Sequence, residues 1–163
     1  MIIGGINLNK KGDKVVYPNH GAGTISAIEE KDVFSTKSKY YILELSVGQL
    51  TISVPVDKSH ELGLRNVITK RDAGKVLKVI SKKVKAKKDV DSNERFKELS
   101  EKLRTGDAFE IAGVIRDLRK LEKMSTREKR MFSKAKDLLI SELIFSFNKT
   151  EEEMVKQVNK VLN

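Results

Sequence analysis

The chain has 163 residues, 39% of them hydrophobic and 34% charged, and it contains no cysteine. This length suffices for a core without disulfides, and the absence of cysteine excludes disulfides and thiolate metal sites, which fits a protein of the reducing cytoplasm. No apolar run approaches the ~20 residues that a membrane-spanning helix requires, and the first residues lack the pattern of a signal peptide.

The net charge of +10 is concentrated in the middle of the chain. Residues 1–68 carry a net charge of +1, residues 69–136 carry +11 and residues 137–163 carry −2. A basic segment of this kind attracts polyanions, chiefly nucleic acid or an anionic membrane, although a charged surface can also serve solubility alone. The uneven distribution favours contact with nucleic acid.

The first 68 residues have the pattern of short β-strands, because polar and apolar side chains alternate and β-branched or aromatic residues are frequent. We interpret Gly21–Gly23 as a loose turn and the charged segment 29–39 as a loop. Several short strands joined by turns favour a small barrel. The predicted strands are residues 15–17, 24–28, 40–45 and 50–54.

The last of these strands ends at Pro55, as edge strands often do, and an exposed edge is a common place for a partner strand to add. Periodicity does not separate an edge strand from one inside the barrel, so both interpretations stay open.

After residue 68 the apolar residues recur with the spacing of α-helices, and the chain has a series of N-cap signals. Gly106 is a suitable residue to end the second helix. Five helices with short loops predict a compact bundle. The fold class is therefore α+β with two domains, a β-domain at 1–68 and a basic helical domain at 69–163. The predicted N-caps are Thr69, Asp91, Asp107, Ser125 and Thr150.

Catalytic chemistry is not indicated. His20 and His60 are the only histidines, and neither lies in a metal-ligand spacing. Gly21–Gly23 lacks the third glycine of a dinucleotide-binding loop, and there is no P-loop. We expect a protein that is not an enzyme and that has no cofactor and no metal.

Two groups of cations favour binding to phosphate. Arg116, Arg119 and Lys120, together with Lys123, have helical spacing on one side of a predicted helix. Three further cations, at 127, 129 and 130, begin the next helix, where the dipole prefers acids but the backbone N–H groups can bind an anion. Pairing with acids such as Glu122 is the alternative. The expected DNA-binding cations are Lys85, Lys87, Lys88, Arg95, Lys97, Arg116, Arg119, Lys120, Arg127, Lys129 and Arg130.

Several segments, in order, resemble the CarD/CdnL family of bacterial transcription regulators. Residues 12–23 (GDKVVYPNHGAG) resemble that family's opening motif GDxVVYPxHGxG, and residues 50–55 resemble its LxxxVP strand. Residues 103–107 and 114–118 resemble the LxSGD and VxRDL helix junctions, and residues 125–138 resemble the LSxxEKRMLxxAxxLL helix. The resemblance covers residue 12 to about residue 145.

The resemblance implies an N-terminal Tudor-like β-barrel that docks on the β subunit of RNA polymerase. It also implies a C-terminal helical domain that contacts promoter DNA at the upstream edge of the transcription bubble and stabilises the open complex without reading the base sequence. On this chain the polymerase-binding residues would be Lys31, Thr51, Ile52 and Ser53. Many members have an arginine where Ser53 stands, so one charge-assisted contact is weaker here.

A second departure concerns the tryptophan that many members insert into the minor groove as a wedge. This chain has no tryptophan, and Ser92 stands at that position. Wedging uses apolar bulk, which a serine does not supply. Phe96 is nearby, but its helical spacing with Leu99 and Leu103 predicts a core residue.

Two other functions stay open. A general basic nucleic-acid-binding protein, chromosome-architectural or ribosome-associated, would explain the charge but not the nearly neutral first 68 residues. An adaptor would bind only proteins. We expect a cytoplasmic, nucleoid-associated monomer with no membrane partner.

Overall fold

A computed structural model of the protein describes residues 2–3, 6–85 and 90–163. Strands β1 (Ile2–Ile3) and β2 (Ile6–Asn7) form a separate antiparallel pair. The main sheet has five antiparallel strands in the order β6-β5-β4-β3-β7. Its strands are β3 (Lys14–Tyr17), β4 (Gly21–Val33), β5 (Thr36–Leu45), β6 (Thr51–Pro55) and β7 (Arg65–Asn66).

The sheet is open within the described part of the chain, because its outer strands β6 and β7 do not pair with each other. An antiparallel β-structure at the N-terminus is therefore confirmed, and the closed barrel is not. A small apolar core lies on one face of the sheet and includes Val15, Ile25, Tyr41, Leu43 and Val54.

Two predictions for the β-strand region are wrong. Gly21–Gly23 is not a turn but the start of β4, where a Cβ on Gly23 would lie 2.5 Å from the Glu44 carbonyl oxygen. The segment 29–39 is not a loop, because β4 and β5 continue through it as a two-stranded arm closed at Phe34 and Ser35. Both faces of that arm meet solvent, so its sequence lacks the apolar alternation that marks a half-buried strand.

Five helices follow in the described part of the chain, as predicted. They are α1 (Lys70–Ser81), α2 (Ser92–Arg104), α3 (Ala108–Arg119), α4 (Thr126–Phe147) and α5 (Glu151–Leu162). They share one apolar core, in which α3 packs against α1, α2 and α4. A helical C-terminal region is confirmed, whereas the regular geometry of a bundle is not.

Side-chain N-caps begin four of these helices, as the sequence predicts, from Thr69, Asp107, Ser125 and Thr150. Asp91 stands at the N-cap position of α2, as predicted, but its side chain accepts no hydrogen bond from the first turn, so the predicted side-chain cap is absent.

The sheet docks on the helices through a buried ionic network centred on Glu142 of α4. The Glu142 side chain is 2% exposed and accepts two hydrogen bonds of 2.7 Å from the guanidinium of Arg65, on β7. It also accepts the N–H of Ile68 at 2.9 Å. Arg65 donates further to the carbonyl oxygen of Gly106, between α2 and α3.

The neighbouring Ser141 adds a second link between sheet and helices. Its hydroxyl oxygen accepts the Ala22 N–H at 2.9 Å, and its carbonyl oxygen accepts the Ser46 hydroxyl at 2.8 Å. The chain reversal that follows β3 lies against the junction between α2 and α3, where Pro18 closely approaches Gly106. The relative position of sheet and helices is thus fixed by paired polar groups.

We expect Glu142→Gln to lower the free energy of unfolding by about 3 kcal/mol, because it leaves the guanidinium of Arg65 without its counter-charge. Denaturant unfolding measures this change. Glu152→Gln is the matched control, since Glu152 forms an exposed pair with Lys156 whose loss should change stability by less than about 1 kcal/mol. Equal effects of the two substitutions would contradict a dominant role for the buried pair.

Candidate functional site

The first candidate surface is the outer edge of β6, which among the described strands pairs only with β5. Leu45 donates its N–H to the Leu50 carbonyl, and Val56 donates to the Lys39 carbonyl. Because hydrogen-bonded pairs alternate in an antiparallel ladder, residues 50, 52, 54 and 56 bond to β5. The backbone groups of Thr51 and Ser53 therefore face away from β5, towards solvent. Within the described sheet, β6 is therefore an edge strand and not one inside a barrel.

Lys31, on the arm, reaches this edge from two strands away. Its ammonium group donates to the Ser53 hydroxyl at 3.0 Å and lies 5.3 Å from the centre of the Tyr40 ring. Of the four residues predicted to bind polymerase, Lys31, Thr51 and Ser53 thus share one face. The fourth, Ile52, is half-buried and packs against the core on the opposite face.

The second candidate surface lies where the first turns of α2 and α4 meet. The Arg127 guanidinium donates to the Asn93 side-chain oxygen at 2.6 Å and stacks 4.3 Å from the centre of the Phe96 ring. It also lies 3.5 Å from the Ser92 carbonyl oxygen. Ser92, the first residue of α2, is exposed beside this contact. The structure therefore brings Ser92 and Arg127 together.

Beneath this contact Glu128 is buried, with its side chain only 3% exposed. Its carboxylate accepts the Ser125 backbone N–H and completes the capping box of α4. The guanidinium of Arg95 donates to the same carboxylate at 2.6 Å. Burial acts to raise the pKa of Glu128, but the hydrogen bonds from Ser125 and Arg95 outweigh it, so the pKa lies below its usual value of 4.5. Arg95 thus stabilises the helix start and is only partly exposed.

A basic groove of about 380 Å³ runs between α2 and α4. Its floor is apolar, and its cations are Arg104, Arg127, Arg130 and Lys134, with no carboxylate among the lining residues. The sequence interpretation missed Arg104 and Lys134. Positions 127, 130 and 134 share one face of a helix, so the helical spacing of these three cations could have predicted that Lys134 lies beside Arg130. The lining residues are Asn19, Phe96, Ser100, Leu103, Arg104, Arg127, Arg130, Met131 and Lys134.

The cations around α3 do not form one face. Arg116 pairs with Asp117 at 3.0 Å, and Lys120 lies between Asp117 and the Lys85 carbonyl oxygen. Arg119 instead donates to the carbonyl oxygens that end α5. The helical spacing proposed for Lys123 is wrong, because α3 ends at Arg119.

A second groove, of about 240 Å³, collects Arg95, Arg116 and Lys120 between α2 and α3. Glu98 and Asp117 also line it, so its charge is mixed. Lys97 and Lys129 are exposed outside both grooves. Lys87 and Lys88 lie outside the described residues.

Within the described ranges, no group of three or more His, Asp or Glu residues is arranged to hold a metal ion. No helix in the same ranges has the length and apolar character needed to span a membrane.

Comparison with known proteins gives consistent matches along the chain. Residues 10–68 match the family model described as the CarD-like/TRCF RID domain, and residues 75–159 match the model of the CarD C-terminal domain. The chain is also 36% identical over 135 residues to YdeB, a proposed transcription factor of Bacillus subtilis (strain 168). That alignment covers 81% of this chain and 88% of YdeB.

We expect the stability of the fold to depend on pH through Glu128. Its lowered pKa means that the carboxylate stabilises the folded state above its unfolded pKa, and that this contribution is lost as the pH falls through the folded value. The melting temperature of Glu128→Gln should therefore fall less steeply than that of wild type below pH 4.5. Asp137→Asn, which removes an exposed carboxylate from the same helix, should follow the wild-type curve. Parallel curves for all three proteins would contradict the assignment.

Proposed function

The chain belongs to the CarD family of transcription regulators, and from this premise we propose that it links RNA polymerase to promoter DNA. Residues 1–68 would form a Tudor-like domain that binds the polymerase β subunit, and residues 69–163 would form the DNA-binding domain. The complex with melted promoter would thereby be stabilised without readout of the base sequence. We further propose that the protein acts as a monomer in the cytoplasm, associated with the nucleoid.

The exposed edge of β6 is the observation that carries the proposal for polymerase. Unpaired N–H and carbonyl groups on an edge strand are a template for a strand from a partner. Thr51 and Ser53 direct those groups outward, and Lys31 supplies a positive charge beside them. The match of residues 10–68 to a domain that interacts with RNA polymerase supports the same conclusion.

The basic groove supports the proposal for DNA. The groove is lined by four cations and by no carboxylate, so its potential is positive. Such a potential attracts the phosphates of DNA whatever the base sequence. Phosphate contacts position a protein on DNA but carry no direct sequence information. We propose that the groove, together with Ser92 and Lys129 at the exposed helix starts, faces the upstream edge of the bubble.

This chain would hold DNA without the tryptophan wedge. Ser92 is exposed, but it offers no apolar bulk to an unstacked base step. Phe96 is half-buried and covered by Arg127, so it does not replace the wedge. Stabilisation of the open complex would therefore come from phosphate contacts combined with simultaneous binding to polymerase.

Ser53→Pro tests the polymerase contact. The substitution removes an outward N–H and leaves the ladder to β5 intact, so we expect the folded protein to bind RNA polymerase about tenfold more weakly. Its affinity for DNA should not change. Ser53→Ala is the control, because it keeps the backbone N–H and removes only the hydroxyl that contacts Lys31.

Capture of proteins from cell extract separates this function from the alternatives. Ribosomal proteins in place of polymerase would favour a general nucleic-acid-binding protein, and unrelated proteins alone would favour an adaptor.

Wild-type affinity for polymerase in Ser53→Pro would contradict strand addition at β6.

DNA binding should be sequence-tolerant and steeply dependent on salt. Each phosphate contact contributes about 0.9 to the slope of log affinity against log salt concentration. The double substitution R130A/K134A should therefore lower the affinity and reduce the slope by nearly 2. K156A/K160A removes the same charge from the exposed face of α5 and should leave the slope unchanged. Equal slopes for the two variants would show that net charge, not the groove, governs binding.

A further inference from the structure

We infer that Phe34, at the tip of the arm formed by β4 and β5, is an anchor that enters an apolar pocket on RNA polymerase. This inference extends the proposed function, since the pocket would lie beside the polymerase strand that adds to β6.

Phe34 is the most exposed large apolar side chain in the described part of the chain, at 97%. Its neighbour Val33 is also exposed. A single exposed apolar residue is ordinary at a protein surface. A phenyl ring that touches almost nothing in its own chain contributes little to the stability of the fold, so its packing does not account for its presence.

The backbone of the turn makes Phe34 more unusual. The last strand pair is Val33 with Thr36, so Phe34 and Ser35 form a two-residue loop. Both residues have positive φ, of 50° and 63°. Such turns favour Asn-Gly, and a bulky side chain in this region is an outlier. Residues in strained backbone conformations of this kind cluster at functional sites.

The arm holds the ring away from the rest of the sheet. The pairing of β5 with β6 stops at Tyr40, which lies opposite Pro55. The pairing of β4 with β3 stops at Thr24. Beyond Lys39 the arm therefore consists of three residue pairs, and no other strand of the described ranges pairs with them. At ~3.3 Å per residue, the arm extends roughly 10 Å beyond the sheet before it reaches the turn.

The charge of the arm favours a protein partner. Residues 29–39 contain three acids and three lysines, so they have no net attraction for DNA or for an anionic membrane. An aromatic centre surrounded by charges of both signs resembles a protein–protein interface. Val33 lies on the same face of β4 as Lys31, which contacts Ser53 on β6. The protein that covers β6 is thus the partner closest to Phe34.

The test is the double substitution F34N/S35G in the full-length chain. Asn-Gly suits this turn, so we expect the melting temperature to rise by roughly 2–4 °C. The dissociation constant for purified RNA polymerase should nevertheless increase by about fivefold or more, because the anchor is lost. A rise in stability together with a loss of affinity is not expected from a merely structural role.

Two single variants complete the test. Phe34→Ala should weaken polymerase binding to a similar extent, whereas Phe109→Ala, at the exposed start of α3, should leave it unchanged. Wild-type affinity in F34N/S35G would overturn the inference about Phe34 while leaving the proposed function intact. A wild-type protein that does not bind polymerase would overturn both. A change in oligomeric state of F34N/S35G by sedimentation, with unchanged polymerase binding, would assign the ring to self-association instead.

Discussion

Burial of the Glu142 carboxylate is the constraint on which the arrangement of sheet and helices depends. A buried charge is costly unless its hydrogen bonds are satisfied, and both the Arg65 guanidinium and the Ile68 N–H donate to this carboxylate. Arg65 must at the same time reach the Gly106 carbonyl between α2 and α3. A buried ion pair is weak support for stability, but the hydrogen bonds of this one join β7, α4 and the junction between α2 and α3. The edge of β6 and the basic groove are consequently held at a fixed separation.

A second buried pair of a carboxylate and an arginine lies near the start of α4. Glu128 and Glu142 are roughly 21 Å apart along α4, and each is buried with an arginine from another element. Glu128 also explains how the first turn of α4 can carry cations that the helix dipole disfavours. Its carboxylate lies among the unpaired N–H groups, and Arg95 neutralises it from α2. Of the exposed cations at this helix start, Arg127 and Arg130 line the groove, whereas Lys129 lies outside it.

Local patterns predicted much of the fold, and long-range partners account for most of what was missed. The caps at Ser125 and Thr150 follow from residue types that lie three positions apart, so the sequence displays them directly. Arg65 and Glu142 are separated by 77 residues, and no spacing rule connects them. The spacing of Arg119 predicts an exposed cation, yet its guanidinium donates to a carbonyl group at the end of α5. A count of charges does not distinguish a cation that binds DNA from one that ends a helix.

The two departures from the family pattern bear on how such a protein could still act. Ser53 replaces an arginine at the proposed polymerase contact, and Ser92 replaces a bulky tryptophan at the proposed DNA contact. Each of the two surfaces alone should therefore bind its partner weakly. Weak surfaces act strongly together when the second binding step is intramolecular, provided that the geometry allows both at once. The ion pair between Arg65 and Glu142 supplies that geometry without a flexible linker. In this chain, the strength of the proposed bridge between polymerase and DNA therefore depends on a pair of residues that touches neither partner.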